Sequence, residues 1–284
     1  MKWIAGVLVT LAVVGLVLLG ARPLAIGVAE KQLMELHPKG AATPASFGAA
    51  FYQDLTFNSG GRRLDASIVR AAADCPSPTA ILIFHGKGET VTDWARAQAF
   101  LAGQCVSSMV FDYSGHGASA PPASIAHLNA DAAAAWPVFA HLFPRPARRC
   151  ILAHSMGNSP MLHAYPAMSP APDCVVDANG FTSLAKIAGV GGAPAPLLFL
   201  LSGVWDNEAA IKAVRSPLLV IHSDADTTIP PAMGAELAAA APAGATVITV
   251  HGYGHDALYE APASGWWTPV LKFVRPLAAG RPNP

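Results

Sequence analysis

Charge is what this 284-residue chain has least of: 13% of its residues are Asp, Glu, Lys or Arg, and 18 basic side chains offset 18 acidic ones to a formal net charge of zero. Phosphate binding needs concentrated positive charge, and no basic cluster stands out along the chain, so no nucleic-acid partner is expected. Close Cys or His pairs with zinc-type spacing are lacking among the 4 cysteines and 10 histidines, so no metal and no cofactor is expected. Internal repeats and low-complexity tracts are also missing. What the chain does have is apolar side chains, 52% of the total, enough for one sizeable domain with a complete core.

The longest uncharged stretch runs from Ile4 to Ala21, between Lys2 and Arg22. At about 1.5 Å per residue it makes a helix of roughly 27 Å, close to the hydrocarbon thickness of a bilayer. Residues 1–22 read as an uncleaved single-pass transmembrane anchor, with the following domain on the extracytoplasmic side. A cleaved secretory signal, leaving a secreted or periplasmic protein, competes with this reading. The sequence Leu19-Gly20-Ala21 running into Arg22-Pro23 makes an unfavourable cleavage site. A buried core helix is the third reading, weakened because the run is apolar on every face. Residues 23–45 form an amphipathic or irregular linker, 46–277 the domain, and 278–284 a tail.

Within the domain, short β-like runs alternate with helical patterns, the signature of βα units on a mostly parallel central sheet with helices on both faces. Strands are expected at Phe51–Phe57 and Leu64–Arg70, joined by Ser59-Gly60-Gly61, then at Ala80–Phe84, Ser108–Phe111, Cys150–Ala153, Cys174–Val176, Leu218–His222 and Ala245–Val250. Helices are expected at Asp93–Ala102, Ser124–Trp136, Pro231–Ala241 and Trp266–Leu277. Continuous apolar strands fit burial on both faces. In such sheets ligands bind beyond the strands' carboxyl ends, and chemistry belongs there.

One of those ends reads Ala153-His154-Ser155-Met156-Gly157. A serine on a tight strand-to-helix turn projects its hydroxyl away from the sheet; the plainer reading is a serine that caps the next helix. As a nucleophile Ser155 needs a base, and the base an orienting acid. The glycine-rich loop His251-Gly252-Tyr253-Gly254-His255-Asp256 supplies His255 as base, with His251 as rival. The loop Ser223-Asp224-Ala225-Asp226 supplies Asp226 as acid. Asp224 reads as a turn residue of its own loop, and Asp177, after the preceding strand, is a second rival. Two backbone N–H groups must face the developing oxyanion, one from Met156 and one from His85-Gly86-Lys87-Gly88, through the Lys87 amide. His85, Gly86 and His154 complete the expected substrate-binding set, and His85 also reads as a structural brace of its loop.

These residues, with Asp112-Tyr113-Ser114-Gly115-His116-Gly117-x-Ser119, Asp226-x-x-Ile229-Pro230 and Gly254-His255-Asp256, resemble the α/β-hydrolase superfamily over about Phe51 to Val274. More narrowly, they are similar to single-anchor serine hydrolases that include protein depalmitoylases and lysophospholipase-like enzymes. The chain departs from the pattern at Ala153, in place of the first elbow glycine, at Asn158, where a second small residue is common, and at Pro160, early in the following helix. The resemblance implies that residues 181–216, rich in Ala, Gly, Pro and Leu, form a short lid or acyl-facing wall; the same leucines could instead complete the core. In this fold Cys75 and Cys105 precede neighbouring strands, and Cys150 and Cys174 start another adjacent pair. Two disulfides, Cys75 to Cys105 and Cys150 to Cys174, are therefore expected, against four reduced cysteines, and oxidised pairs imply export.

Three functions are weighed. The first is a serine esterase or thioesterase working through an acyl-enzyme on a small-molecule or lipid-like acyl substrate. The second is a serine peptidase or aminoacyl hydrolase on the same triad. The third is a non-catalytic binding protein, which would ordinarily lose a triad member.

Overall fold

A computed structural model describes residues 20–75, 78–145 and 147–275. Most of the expected anchor, residues 1–19, and the tail lie outside the described residues, and among the latter no helix is long and apolar enough to cross a membrane.

Eight strands form one sheet: β1 (Tyr52–Ser59), β2 (Arg62–Val69), β3 (Thr79–Phe84), β4 (Val106–Phe111), β5 (Arg148–His154), β6 (Cys174–Ala178), β7 (Leu218–Ser223) and β8 (Thr246–Val250). Their spatial order is β1-β2-β4-β3-β5-β6-β7-β8. The β1–β2 hairpin is antiparallel and joins β4 antiparallel; every other pairing is parallel. Period-two alternation sends β3 side chains to two separate cores. Leu82 and Phe84 join Phe111, Ile151 and Trp136 on one face, while Ile81 and Ile83 join Val110, Leu152, Leu101 and Trp267 on the other. All six β3 residues are buried. Full burial of each large apolar side chain is worth about 1.5–3 kcal/mol, so the strands central to the site are also the most firmly held.

The helices are α1 (20–33), α2 (Ala95–Gly103), α3 (Ile125–Leu142), α4 (Asn158–Ala164), α5 (Leu184–Val190), α6 (Ala195–Leu200), α7 (Asn207–Ala210), α8 (Pro231–Ala240), α9 (Ala257–Glu260) and α10 (Trp267–Val274). The start of α3 is capped by Ser124, whose side chain accepts the His127 amide. This helix runs past the expected end at Trp136 to Leu142, with Pro137 inside it. Proline removes one intrahelical bond, but Phe139 and Phe143 beyond it are buried and hold the continuation against the core.

The first half of the stretch expected as linker is α1, in its amphipathic form, with Ala25 and Ala29 buried and Leu24 and Val28 exposed; from residue 34 to 43 the chain is irregular. Its Glu30 carboxylate accepts the Ile125 amide at 2.8 Å. The expected lid folds as α5, α6 and α7 and puts Leu184, Leu201, Trp205 and Ile211 into the core. Its side-chain hydrogen bonds reach Asn129, Ser159, Arg22 and Glu236, and none goes to Ser155, His255 or Asp226. Cys75 is joined to Cys105 and Cys150 to Cys174, the latter two being register partners on β5 and β6.

Candidate active site

β5 is buried from Arg149 through His154 and stops at Ser155, whose φ of 51° lies in the left-handed region. For a non-glycine residue this conformation is unfavourable and persists only where its surroundings hold it. A single 3₁₀ turn, Ser155–Gly157, then hands the chain to α4. Gly157 is required by crowding, because a Cβ there would run into the Phe84 and His85 carbonyls. That close approach brings the loop after β3 against the serine turn. Asn158, fully buried, donates to the Ser155 and Ala178 carbonyls at 3.3 Å each, and so ties the turn to β6. The departure from a small residue thus has a structural use here.

The turn after β7 and the loop after β8 converge on this serine. His255 Nε2 lies 2.9 Å from Ser155 Oγ, and His255 Nδ1 lies 2.6 Å from Asp226 Oδ2. With Nδ1–H donating to the carboxylate, Nε2 is left as the acceptor for the serine O–H. Asp226 Oδ1 accepts the Thr228 and Ile229 amides at 2.8 and 2.9 Å, and His222 Nε2 stands 3.4 Å from Oδ2. Burial alone would raise the Asp226 pKa. Hydrogen bonds from His222 and His255 outweigh it and hold this carboxyl well below the usual range, so it is a fixed anion facing the imidazole.

The rivals are occupied otherwise. His251 and Asp224 pair with each other at 2.7 Å on the exposed surface, and Asp224 also accepts the Gly252 amide, so the Asp224 carboxylate bonds across to the neighbouring loop. The Asp177 carboxyl has no hydrogen-bond partner among the described residues, and burial raises its pKa to about 7.

Of the expected oxyanion donors, Met156 follows the serine directly, and Lys87 sits in the loop against Gly157. The Gly86 amide donates to Glu89 Oε2 at 2.7 Å, whereas the Lys87 amide has no acceptor among the described residues. The Lys87 side chain turns outward to Glu35, 3.1 Å away.

The three residues expected to bind substrate, His85, Gly86 and His154, are all buried. His85 accepts Tyr113 O–H at its carbonyl and packs against that ring, tilted, with centroids 4.5 Å apart; burial lowers its pKa to about 4 and keeps it neutral. His154 Nδ1 lies 2.9 Å from Glu89 Oε1 and its Nε2 3.2 Å from the His255 carbonyl. Glu89, Trp94, Asn179 and His222 escaped the sequence reading. Glu89 directly follows the loop motif His85-Gly86-Lys87-Gly88 and was given no role. Asn179 and His222 occupy strand ends where a polar residue is itself a signal.

His154, His255 and Asp256 offer ligand atoms within 4.8 Å of one another, the one such group among the described residues. Both nitrogens of each histidine are already hydrogen-bonded, so a metal would have to displace the contacts that orient His255.

The serine aminopeptidase, S33 family model matches residues 76–185, a segment that holds β3 to β6 and Ser155. Two uncharacterised proteins from strains of Mycobacterium tuberculosis are 30% identical over 182 residues, 63% of this chain, and the match spans 64% of their own length. Among solved structures, an esterase of Pyrococcus furiosus matches with a TM-score of 0.65 at 17% identity, covering 85% of this chain and 96% of that one. An α/β serine hydrolase without a lid from Xanthomonas campestris matches at 0.58 and 17%, covering 85% and 100%. Acetyl xylan esterase 1 from a Thermoanaerobacterium species matches at 0.62 and 17%, covering 89% and 92%. With the strand order and crossovers above, these likenesses show that the chain has the α/β-hydrolase fold.

Proposed function

We propose that the protein is a serine hydrolase that cleaves carboxylic esters or thioesters through an acyl-enzyme. The observation that carries this reading is the unbroken contact series from Ser155 Oγ to His255 Nε2 at 2.9 Å and from His255 Nδ1 to Asp226 at 2.6 Å. Ser155 attacks the acyl carbon as its proton passes to His255, and the ionised Asp226 steadies the imidazolium. The Lys87 and Met156 amides receive the oxyanion; each such donor lowers the barrier by roughly 2.7–4 kcal/mol. His255 then protonates the leaving group and activates the water that releases the acyl chain.

A second reading, a peptidase or aminoacyl hydrolase on the same groups, is favoured by the description of the family model that matches residues 76–185. Labelling by a fluorophosphonate probe, present in the wild type and lost in Ser155→Ala, tests the shared chemistry. Rates on p-nitrophenyl esters of graded chain length against aminoacyl and peptide amides separate the two readings. We place the domain outside the cytoplasm behind an N-terminal anchor. The uncharged run Ile4–Ala21 and two disulfides support that setting, and the exposed Leu24 and Val28 shortly beyond the run fit an apolar, lipid-like surrounding and acyl group.

A further inference from the structure

The histidine that precedes the serine is buried, fully hydrogen-bonded and unused by the mechanism above. Its partners constrain its protonation. Nδ1 meets a carboxylate oxygen of Glu89 at 2.9 Å, and Nε2 meets the main-chain carbonyl of His255 at 3.2 Å. A carbonyl only accepts, so Nε2 must carry hydrogen. The Nδ1 contact also needs a proton, held by either the ring or Glu89. The other Glu89 oxygen already accepts two N–H groups, Gly86 N and Trp94 Nε1, each at 2.7 Å. Two donors on one carboxyl favour its ionised form, which leaves the shared proton on the imidazole.

We infer that His154 is a positioning residue for His255, held by Glu89 as a doubly protonated imidazolium that clamps the His255 main chain and ties it to the oxyanion loop. This rests on the serine-hydrolase reading. The clamp has three ends. Asn179 Nδ2 donates to the same His255 carbonyl at 3.0 Å, so that carbonyl is held by two donors on either side of the loop's entry into the site. The imidazolium ring lies 4.7 Å from the His255 ring. Glu89, through the Gly86 amide, fixes the residue before Lys87, whose own N–H faces the oxyanion in the mechanism. The base and one oxyanion donor are thereby set by one buried ion pair.

The groups that face His154 are Glu89 from the loop after β3, His255 and Asp256 from the loop after β8, and Tyr259 from α9, with the neutral Trp94 completing the wall. Burial opposes the charge on His154, but the attraction of Glu89 and Asp256 prevails and raises its pKa above the ordinary histidine value, while Glu89 is lowered. The sign follows: the clamp is complete below the ordinary histidine value and is lost as pH rises through the raised one, when a bare Nε2 lone pair comes to face a carbonyl oxygen.

Glu89→Gln separates charge from geometry. The glutamine oxygen can accept from Gly86 and Trp94, and its NH₂ can donate to Nδ1 of a neutral His154, which keeps Nε2–H on His255 at every pH. The experiment combines ¹⁵N-histidine NMR of the full chain in detergent, with His154 assigned by its loss in His154→Asn, and pH profiles of p-nitrophenyl acetate hydrolysis and probe labelling over roughly pH 6–10. Expected are two protonated nitrogens on His154 at neutral pH, and an alkaline fall in kcat/KM that tracks loss of that signal. Glu89→Gln should remove the alkaline fall and stay within about tenfold of wild type at neutral pH, the effect of one hydrogen bond. Glu89→Ala should be slower by at least about 10²-fold. A singly protonated His154 in the neutral wild type, or an alkaline fall kept in Glu89→Gln, overturns the inference. A wild type that neither hydrolyses esters nor takes the probe instead rejects the serine-hydrolase reading, and the NMR signal still decides the state of His154.

Discussion

Ser155 lies in the left-handed region, and Gly157, two residues on, packs directly against the Phe84 and His85 carbonyls. Gly157→Ala must therefore push the serine turn away from the β3 loop. A shift of about 1 Å can cost on the order of 10² in rate, so kcat for ester hydrolysis should fall at least that far, read by initial rates beside a circular-dichroism check of folding. In the proposed mechanism Asp226 acts by charge and orientation rather than by proton transfer, and Asp226→Asn should lower kcat by roughly 10⁴ with KM little changed. Asp177 supplies a stability test with a definite sign. Folded, it keeps its proton up to about pH 7; unfolded, it releases it near the ordinary aspartate value. Its stabilising contribution is complete below that lower value and is lost as pH rises towards 7. The difference in melting temperature between wild type and Asp177→Asn should therefore change in favour of the variant across this window and level off above it.

At the scale of elements, the carboxyl ends of β3, β5, β7 and β8 meet at the site, while both cystines lie at the opposite ends of the strands they join. They brace the sheet without touching the chemistry. Closing loops of 24 and 30 residues stabilises by about 3–4 kcal/mol each on the chain-entropy model. Cys150→Ser/Cys174→Ser should lower Tm by on the order of 10 °C, measured by calorimetry. Esterase activity well below that melting point should persist, because register and site geometry are set by the buried strands.

For the whole molecule, α1 lies against the core on one side and exposes Leu24 and Val28 on the other, directly after the uncharged run. A chain anchored by that run should sediment with membranes, resist extraction by high salt and alkaline carbonate, and be released by detergent, as read by fractionation and immunoblotting. Release by salt alone would remove the anchor from the proposal.

The amino-acid sequence alone determined where the eight strands fall along the chain, and it offered the serine turn with a short list of histidine and aspartate partners, because these signals are local: burial makes continuous apolar strands, and a serine on a tight turn needs small neighbours within two or three residues. Helix α3 passing through Pro137 was not legible, since only the burial of Phe139 beyond it outweighs the lost hydrogen bond. Between His255 and His251, and between Asp226 and Asp224, only the fold discriminates: His255 lies between Ser155 and Asp226, while the two rivals pair with each other at the surface. The same holds for Glu89 and His154, 65 residues apart, whose pairing and shared proton exist only once two loops are brought together by the sheet. Local propensity writes the elements; which polar groups share a dry space, and so which protonation states they take, is decided by the fold that removes the water between them.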